Sequence, residues 1–230
     1  MYLQHSARLR AEHPTLVAGV LHAEGVGGEP RDDLRLAEWH HAAREHLAAG
    51  SEAGLPQIQA WRRAFGRMGL APTRYRCAAE SLLRRMRTVG DLPAVSALVD
   101  LCNALSVAYA IPVGVFDTAR VAKGLEVRHA LGTESYLTFG GEEEHPDPDE
   151  VVFVDEEGRA HARRWTNRQS GWSAVGADTD RVLVVAEALH PGAEAEVPKL
   201  LADLAEALRQ GWEVAPRTAV LTATRPRFEV

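Results

Sequence analysis

The stretch LPAVSALVDLCNALSVAYAIPVGVFD, residues 92–117, joins two apolar segments through a proline. Its first part, residues 94–109, is apolar on most sides of a helix, which is typical of a buried helix. Pro112 cannot continue that helix, and VGVFDT after it has the composition of a strand. A buried helix that leads directly into a strand predicts helices packed against a sheet.

Helical spacing of apolar residues continues on the N-terminal side of this stretch. It predicts helices over residues 34–49, 55–68 and 77–90, with Pro56 opening the second and Gly50 and Gly69 ending the first two. Residues 15–22 are expected to form a buried strand that closes in a glycine turn. The N-terminal part is therefore one strand followed by three helices.

After Pro112 the chain is expected to be mostly strands separated by turns. Strand-like pieces occupy residues 113–118, 125–130, 135–140, 150–155, 160–169, 173–176 and 180–189. A helix over Glu194–Arg209 and an edge strand over Arg217–Thr224 follow. This order predicts an α+β fold with a mixed or antiparallel sheet and helices packed on it, in a single domain over residues 1–230.

Composition excludes several classes of protein. The 230 residues include 26 Lys+Arg against 32 Asp+Glu, a net charge of −6, so a wholly basic protein that coats nucleic acid is excluded. The two cysteines are too few for a disulfide scaffold or a thiolate zinc site, and a reducing cytoplasm is the expected location. Neither a signal peptide nor a membrane span is evident in the sequence, so we expect no membrane partner.

Common cofactor motifs are missing from the sequence. It contains no HExxH, GxSxG, GxxxxGK[ST] or GxGxxG motif. We therefore expect no metal and no other cofactor.

Charge is segregated along the chain. Residues 62–87, the arginine segment, carry eight arginines against one acid, Glu80. Two interpretations stay open: a surface that docks a phosphodiester backbone, or a solvated helix face. Residues 142–157 hold nine acids and no Lys or Arg, as expected of a solvated loop and strand edge.

Two polar residues interrupt the buried helix. Asp100 and Asn103 lie about one turn apart on the same face. Either they form a structural hydrogen-bond network, or Asn103 points into a pocket whose floor is this helix and whose rim is the strand over residues 114–117, where it orients a polar ligand such as an amino acid.

Arginine and tryptophan alternate in RRWTNRQSGWSAV, residues 163–175. Arg163, Arg164 and Arg168 flank Trp165, and Trp172 follows. Guanidinium groups bind phosphate and indoles stack on bases, so this pattern suits nucleotide or carboxylate recognition. The alternative is an edge strand with a buried tryptophan and outward arginines.

Together these pieces resemble the B3/B4 domain of the phenylalanyl-tRNA synthetase beta subunit and its free-standing relatives. The resemblance covers residues 55–190 and is most specific where the family pattern VDxxN, a gap, Pro and xxFD is met by Val99, Asp100, Asn103, Pro112, Phe116 and Asp117. The segment RRWTNRQS resembles the free-standing members. In the synthetase this domain hydrolyses mischarged aminoacyl-tRNA.

The resemblance implies a pocket with altered side chains. Asn103 matches a family position that lines the amino-acid pocket, whereas Cys102 stands for a family Thr, Gly114 for a pocket His and Gly171 for a Glu that recognises the substrate. Ester hydrolysis needs mainly a positioned water and oxyanion donors, so these departures do not by themselves abolish it. Loss of the pocket His and of the Glu implies a different amino acid or a pocket that binds without reacting.

The function this implies is a trans-editing hydrolase that deacylates a mischarged aminoacyl-tRNA. Asn103 and Ser170 are the expected catalytic residues. The expected substrate pocket comprises Asp100, Cys102, Gly114, Asp117 and Gly171. The residues expected to contact tRNA are Arg74, Arg76, Arg84, Arg85, Arg163, Arg164, Trp165 and Arg168. The alternative is a non-catalytic module of the same fold that binds an amino acid, an aminoacyl-tRNA or another RNA.

Overall fold

The computed structural model describes residues 1–222 and 224–230, which form six α-helices and twelve β-strands. The helices are α1 (Ala7–Glu12), α2 (Leu36–Ala49), α3 (Pro56–Arg67), α4 (Ala78–Val89), α5 (Ala97–Tyr109) and α6 (Ala193–Trp212). The strands are β1 (Tyr2–His5), β2 (Val17–Glu24), β3 (Val113–Asp117), β4 (Gly124–His129), β5 (Tyr136–Leu137), β6 (Glu143–Glu144), β7 (Val151–Val154), β8 (Ala160–Arg163), β9 (Arg168–Gln169), β10 (Arg181–Ala188), β11 (Arg217–Leu221) and β12 (Arg227–Glu229). Short 3-10 helices cover Glu52–Gly54, Thr118–Arg120 and Gly171–Ser173.

Most of the strands belong to two sheets. One is four-stranded and antiparallel, in the order β11-β2-β10-β3, so that β3 lies at an edge. The other is six-stranded, in the order β12-β1-β4-β7-β8-β9, and is mixed because β1 and β4 run parallel. The hairpin β5-β6 stands beside the second sheet.

Two hydrophobic layers cover the faces of the four-stranded sheet. On one face, Leu105 of α5 and Leu204 of α6 pack on Val182 and Val184 of β10. On the other face, side chains of the four-stranded sheet meet the six-stranded sheet, and Phe116 of β3 stacks on Phe153 of β7 with ring centroids 5.4 Å apart. Strand alternation produces this division, because successive side chains of a strand point to opposite faces.

Helix ends follow from local sequence. Pro56 occupies the first turn of α3, where its missing N–H is unneeded. Helix α5 begins after Ser96, whose side chain accepts a hydrogen bond from the Val99 amide, and ends at Ala110 in the left-handed conformation (φ 52°). These boundaries place Pro112 between α5 and β3, immediately before the strand, as the sequence predicts.

The structure confirms the α+β class with helices packed on mixed and antiparallel sheets. The predicted edge strand pairs at the margin of the four-stranded sheet over Arg217–Leu221, although Ala223, within its predicted range, lies outside the described residues. The strand predicted over residues 173–176 is wrong, because residues 171–173 form a 3-10 turn. Three further elements, β1, α1 and β12, were not predicted.

Candidate functional site

A cleft of about 70 Å³ opens between the two sheets. Its walls are residues 112–114 and Phe116 around β3, Val185 and Glu187 of β10, Phe153 of β7 and Ala162 of β8. Ala78 at the start of α4 and residues 165–169 of the β8-β9 turn complete it. This volume accommodates several water molecules or the polar end of a small ligand.

The β8-β9 turn forms one edge of the cleft in a strained conformation. Arg164 and Trp165 both have positive φ, 46° and 59°, a backbone conformation that residues other than glycine rarely adopt. The Arg164 amide donates to Glu150 and the Trp165 amide to the carbonyl oxygen of Val151, and these bonds hold the turn in place. Strained backbone that its surroundings hold in this way clusters at ligand sites.

The arginine segment touches the same turn. The Ala78 amide donates to the carbonyl oxygen of Thr166 at 2.8 Å, and the Asn167 side chain donates to the carbonyl oxygen of Arg76 at 2.7 Å. The guanidinium of Arg164 lies over the Tyr75 ring, 4.9 Å from its centroid. The start of α4 and the edge of the cleft therefore form one continuous surface.

Buried carboxylates hold part of the arginine segment. Arg62 and Arg76 pair with Glu80, which is fully buried. Arg84 and Arg87 pair with Glu52, a buried acid outside the segment. Over the described part of the chain, Arg63, Arg74 and Arg85 are exposed and form no ion pair.

Three residues expected at the site have structural roles instead. Arg163 is buried and makes two hydrogen bonds to Glu150, both at 2.9 Å, so its guanidinium does not face a phosphate. Trp165 is fully buried edge-on against Trp61, so it does not offer a face to a base. The Ser170 hydroxyl is buried, donates to the Leu137 carbonyl oxygen and accepts from the Leu137 and Trp172 amides, which leaves it no capacity for substrate.

The polar residues of α5 lie outside the cleft lining. Asp100 accepts a hydrogen bond from the Val95 amide, which makes it part of the helix start. Asn103 is half-buried, and no side-chain hydrogen bond among the described residues involves it. Because Cys102 packs with Val182 and Val184, on the sheet face opposite Val185 and Glu187, strands and not α5 form the floor of this cleft.

The remaining predicted residues divide between the cleft and the scaffold. Gly114 and Arg168 line the cleft. Asp117 is buried and accepts from Thr179 and from the Ala119 amide. Gly171 lies outside the lining, and a Cβ there would come within 3.1 Å of the Thr138 carbonyl oxygen, so a larger residue requires a backbone shift.

Burial also settles the reactivity of Cys102. Burial raises the pKa of its thiol to about 12, so the thiolate needed for nucleophilic attack does not form near neutral pH.

A buried Ser-His-Asp chain escaped the sequence analysis. His161 contacts Ser173 through Nδ1 at 2.8 Å and Asp155 through Nε2 at 3.1 Å, and all three residues are buried. None of these three residues lines the cleft. Their hydrogen bonds connect the 171–173 turn to β8 and do not act on a ligand in the cleft. The residues are spread over three elements, and their spacing gives no motif.

Glu187 is a further cleft residue that was not predicted from the sequence. This carboxylate lines the cleft, is 1% exposed, and contacts His5 and Trp165. The available signal was a single acid in the otherwise apolar strand VLVVAEAL, residues 182–189.

Neither a membrane-spanning helix nor a metal-binding cluster is found among the described residues. No helix among them is both long enough and apolar enough to cross a membrane. Over the same residues, no group of three or more His, Cys, Asp or Glu side chains is arranged to hold a metal ion.

By its fold the protein belongs to the α+β class, with two main sheets and a cleft between them. The model of the B3/4 domain family matches residues 60–201, more than half of the chain, and the chain belongs to this family.

Known relatives agree with this assignment. The chain is 37% identical over 79 residues to the phenylalanine–tRNA ligase beta subunit of Bradyrhizobium diazoefficiens and 35% identical over 75 residues to that of Cereibacter sphaeroides. These matches cover 34% and 33% of this chain but only 10% and 9% of the relatives. The chain thus corresponds to a small part of each ligase subunit.

A solved structure shares the fold. The N-terminal fragment of the phenylalanyl-tRNA synthetase beta subunit from Pyrococcus horikoshii superimposes with a TM-score of 0.50 at 12% identity, covering 94% of this chain and 50% of that chain. At this identity the likeness concerns the fold alone.

Proposed function

We propose that this chain is an aminoacyl-tRNA deacylase that acts in trans on a mischarged tRNA and holds the aminoacyl ester in the cleft between the two sheets. The observation that carries the proposal is the position of this cleft in a B3/4 fold, beside the arginine segment. The named relatives are phenylalanine–tRNA ligase subunits, which supports a substrate that contains tRNA.

Exposed arginines supply the contacts to tRNA in this proposal. Arg74 and Arg85 are exposed and form no ion pair among the described residues. Arg84 is exposed beside Glu52, and Arg168 is exposed where it lines the cleft, next to Glu144. Together they give a path for the phosphates of the acceptor end toward the cleft. Arg76 and Arg164, half-buried and in contact with acids, hold this surface in shape.

Hydrolysis in the cleft requires a positioned water and donors for the oxyanion. The backbone around Gly114 lies on the edge strand β3 and lines the cleft, which makes it our candidate for those donors. Asn103 stays a predicted ester-orienting residue. Helix α5 packs on the opposite face of the four-stranded sheet, so Asn103 acts only on an ester that reaches past the edge strand β3.

A second function, a non-catalytic module that binds an amino acid, aminoacyl-tRNA or another RNA, is favoured by one specific observation. Among the described lining residues there is no histidine and no cysteine, and the Ser170 hydroxyl is fully used elsewhere. Such a module would bind tRNA in a salt-dependent way without turnover.

The experiment is deacylation of a panel of tRNAs, each charged with its correct or a near-cognate radiolabelled amino acid. We expect release confined to one mispaired amino acid and reduced in the Asn103→Ala variant. If no tRNA is deacylated but tRNA is retained on a filter at low salt, the binding module replaces the enzyme. Unchanged release by a folded Asn103→Ala variant removes Asn103 from the site.

A further inference from the structure

Glu187 is a carboxylate in a cleft that is otherwise mostly apolar. Strand alternation places Glu187 and Val185 on the same face of β10, where Phe116 and Phe153 are also part of the lining. A charge in such surroundings requires hydrogen-bonding partners, because burial without them is strongly unfavourable. Its partners therefore indicate what the carboxylate does.

Two side chains hold the carboxylate of Glu187. His5 Nε2 lies 2.6 Å from Oε1, and Trp165 Nε1 donates to Oε2 at 3.0 Å. A carboxylate has about four lone-pair positions on its two oxygens. Each oxygen of Glu187 therefore keeps capacity for a further donor.

The contacts of His5 indicate which of its ring nitrogens donates to Glu187. A guanidinium nitrogen of Arg10 lies 3.4 Å from His5 Nδ1. Because a guanidinium only donates, Nδ1 accepts, so Nε2 carries the ring proton and donates to Glu187. In this arrangement both oxygens of Glu187 accept a hydrogen bond, and the guanidinium of Arg10 lies beyond His5.

A second polar group of the cleft has no partner. Thr166 is part of the cleft lining, and its hydroxyl oxygen is buried without a hydrogen-bond partner among the described residues. Buried polar atoms are nearly always bonded to protein, water or ligand. Thr166 and Glu187 are thus two residues of one cleft lining whose side-chain oxygens keep unused hydrogen-bonding capacity.

We propose that Glu187, with Thr166, is an anchor for a primary ammonium group, and that the ligand is the α-ammonium of an amino acid held as an ester. An ammonium group supplies three donors and a positive charge, which match an ionised carboxylate and an open hydroxyl. The exposed Arg168 lies on the same cleft with its guanidinium 3.2 Å from Glu144, and in this proposal it exchanges that contact for the phosphate end of the ligand. This assignment of the ester rests on the proposed deacylase function, whereas the ammonium site itself does not.

Binding of small amides tests the ammonium site without any turnover. Phenylalaninamide, leucinamide and alaninamide are each compared with the amide that lacks the amino group: 3-phenylpropanamide, 4-methylpentanamide and propanamide. The readout is the NMR signal of the Trp165 indole N–H, which donates to Glu187. We expect at least one amine to bind about 10- to 100-fold more tightly than its partner amide. Equal affinities, or no binding by any amine at millimolar concentration, overturn the proposal.

Two variants assign that preference to residues. Glu187→Gln keeps the size and an acceptor for Trp165 but removes the charge, and the preference for the amine is expected to vanish. Thr166→Val removes a hydroxyl without a partner, so it folds normally and lowers amine affinity about 3- to 10-fold. Glu134→Gln, which alters another buried carboxylate away from the cleft, is the matched control and keeps the preference. A preference that persists in both cleft variants overturns the proposal.

Deacylation kinetics separate an ammonium anchor from a general base. For the tRNA that the enzyme hydrolyses, Glu187→Gln is expected to raise KM for the free aminoacyl ester and to leave the N-acetylated ester unaffected. An equal fall in kcat for both esters assigns Glu187 as a base and overturns the proposal. If no tRNA is hydrolysed, the deacylase function fails while the amide experiment still decides the ammonium site.

Discussion

Arg87 of α4 donates from Nε and a terminal nitrogen to the two carboxylate oxygens of Glu52, at 2.7 and 3.2 Å, and Glu52 is only 2% exposed. This arginine therefore satisfies a buried acid, whereas Arg85, two residues earlier, is exposed and forms no ion pair in the described structure. The arginine segment thus contains both structural arginines and arginines that are free to meet a phosphate.

Alanine substitutions distinguish these two kinds of arginine. Arg85→Ala is expected to weaken tRNA binding and to reduce the slope of log affinity against log salt by about one, with unchanged stability. Arg87→Ala is expected to lower the melting temperature, because it leaves the Glu52 carboxylate without its main partner. Filter binding at several salt concentrations and thermal unfolding measure the two effects. The reverse pattern would contradict the division.

The hydrogen bond from the Trp165 indole to Glu187 is expected to stabilise the protein. Trp165→Phe keeps an aromatic ring against Trp61 but removes the hydrogen bond to Glu187. We expect the free energy of unfolding to fall by about 1–3 kcal/mol, since a buried carboxylate oxygen loses its donor. Urea denaturation measures this. Trp172→Phe is the control, because the Trp172 indole nitrogen is buried without a partner in the described structure, and an equal loss in both variants would contradict the reason given.

Acid is expected to destabilise the protein through Asp155. Burial alone would raise the pKa of this carboxyl, but hydrogen bonds from His161 and from the Ala122 and Arg159 amides outweigh burial and lower it. A lowered native pKa means that the stabilisation is complete above the unfolded pKa of about 4 and is lost as pH falls through the lower native value. Asp155→Asn is expected to be less stable than wild type at pH 7 and to lose less stability on acidification.

Urea denaturation at a series of pH values between neutral and acid checks this. Asp178→Asn, a change at an exposed carboxyl, serves as the control and should follow the wild-type curve. Parallel curves for Asp155→Asn and wild type would show that Asp155 does not contribute to acid unfolding.

The two cysteines are expected to react only when the protein unfolds. Cys77 and Cys102 are buried, and burial raises the pKa of each thiol to about 12. A thiol reagent at pH 8 should therefore label neither residue in the native protein and both in denaturant. Mass spectrometry after a short labelling pulse counts the modified sites. Rapid native labelling of Cys102 would show that α5 opens on that timescale.

Sequence periodicity located α3 because this helix buries one apolar face. Ile58, Trp61 and Phe65 recur at helical spacing and are all buried in α3. The same logic failed for SAVG, residues 173–176, where a strand-like composition gave way to a 3-10 turn tied by Ser170 and Ser173. Local composition does not show hydrogen bonds that come from distant elements.

The candidate site was harder to predict than the fold, because the burial of charged groups depends on partners far away in sequence. Arg163 is neutralised by Glu144 and Glu150, which belong to the acidic stretch that was expected to be solvated. The apolar pattern of β10 correctly indicated a buried strand, and the same pattern obscured the one acid that reaches the cleft. Gly114 and Arg168, which a family motif and an arginine-tryptophan pattern singled out in the sequence, line the cleft, and their roles there stay predictions.

The contact between His5 and Glu187 has a consequence for the order of folding. The two residues are 182 positions apart, and His5 is placed by β1, which pairs with β4 and β12. Contacts of such long range close the largest loops and form slowly compared with local helices. We therefore expect the contact between His5 and Glu187 to form late in folding, after the helices and the hairpins have formed.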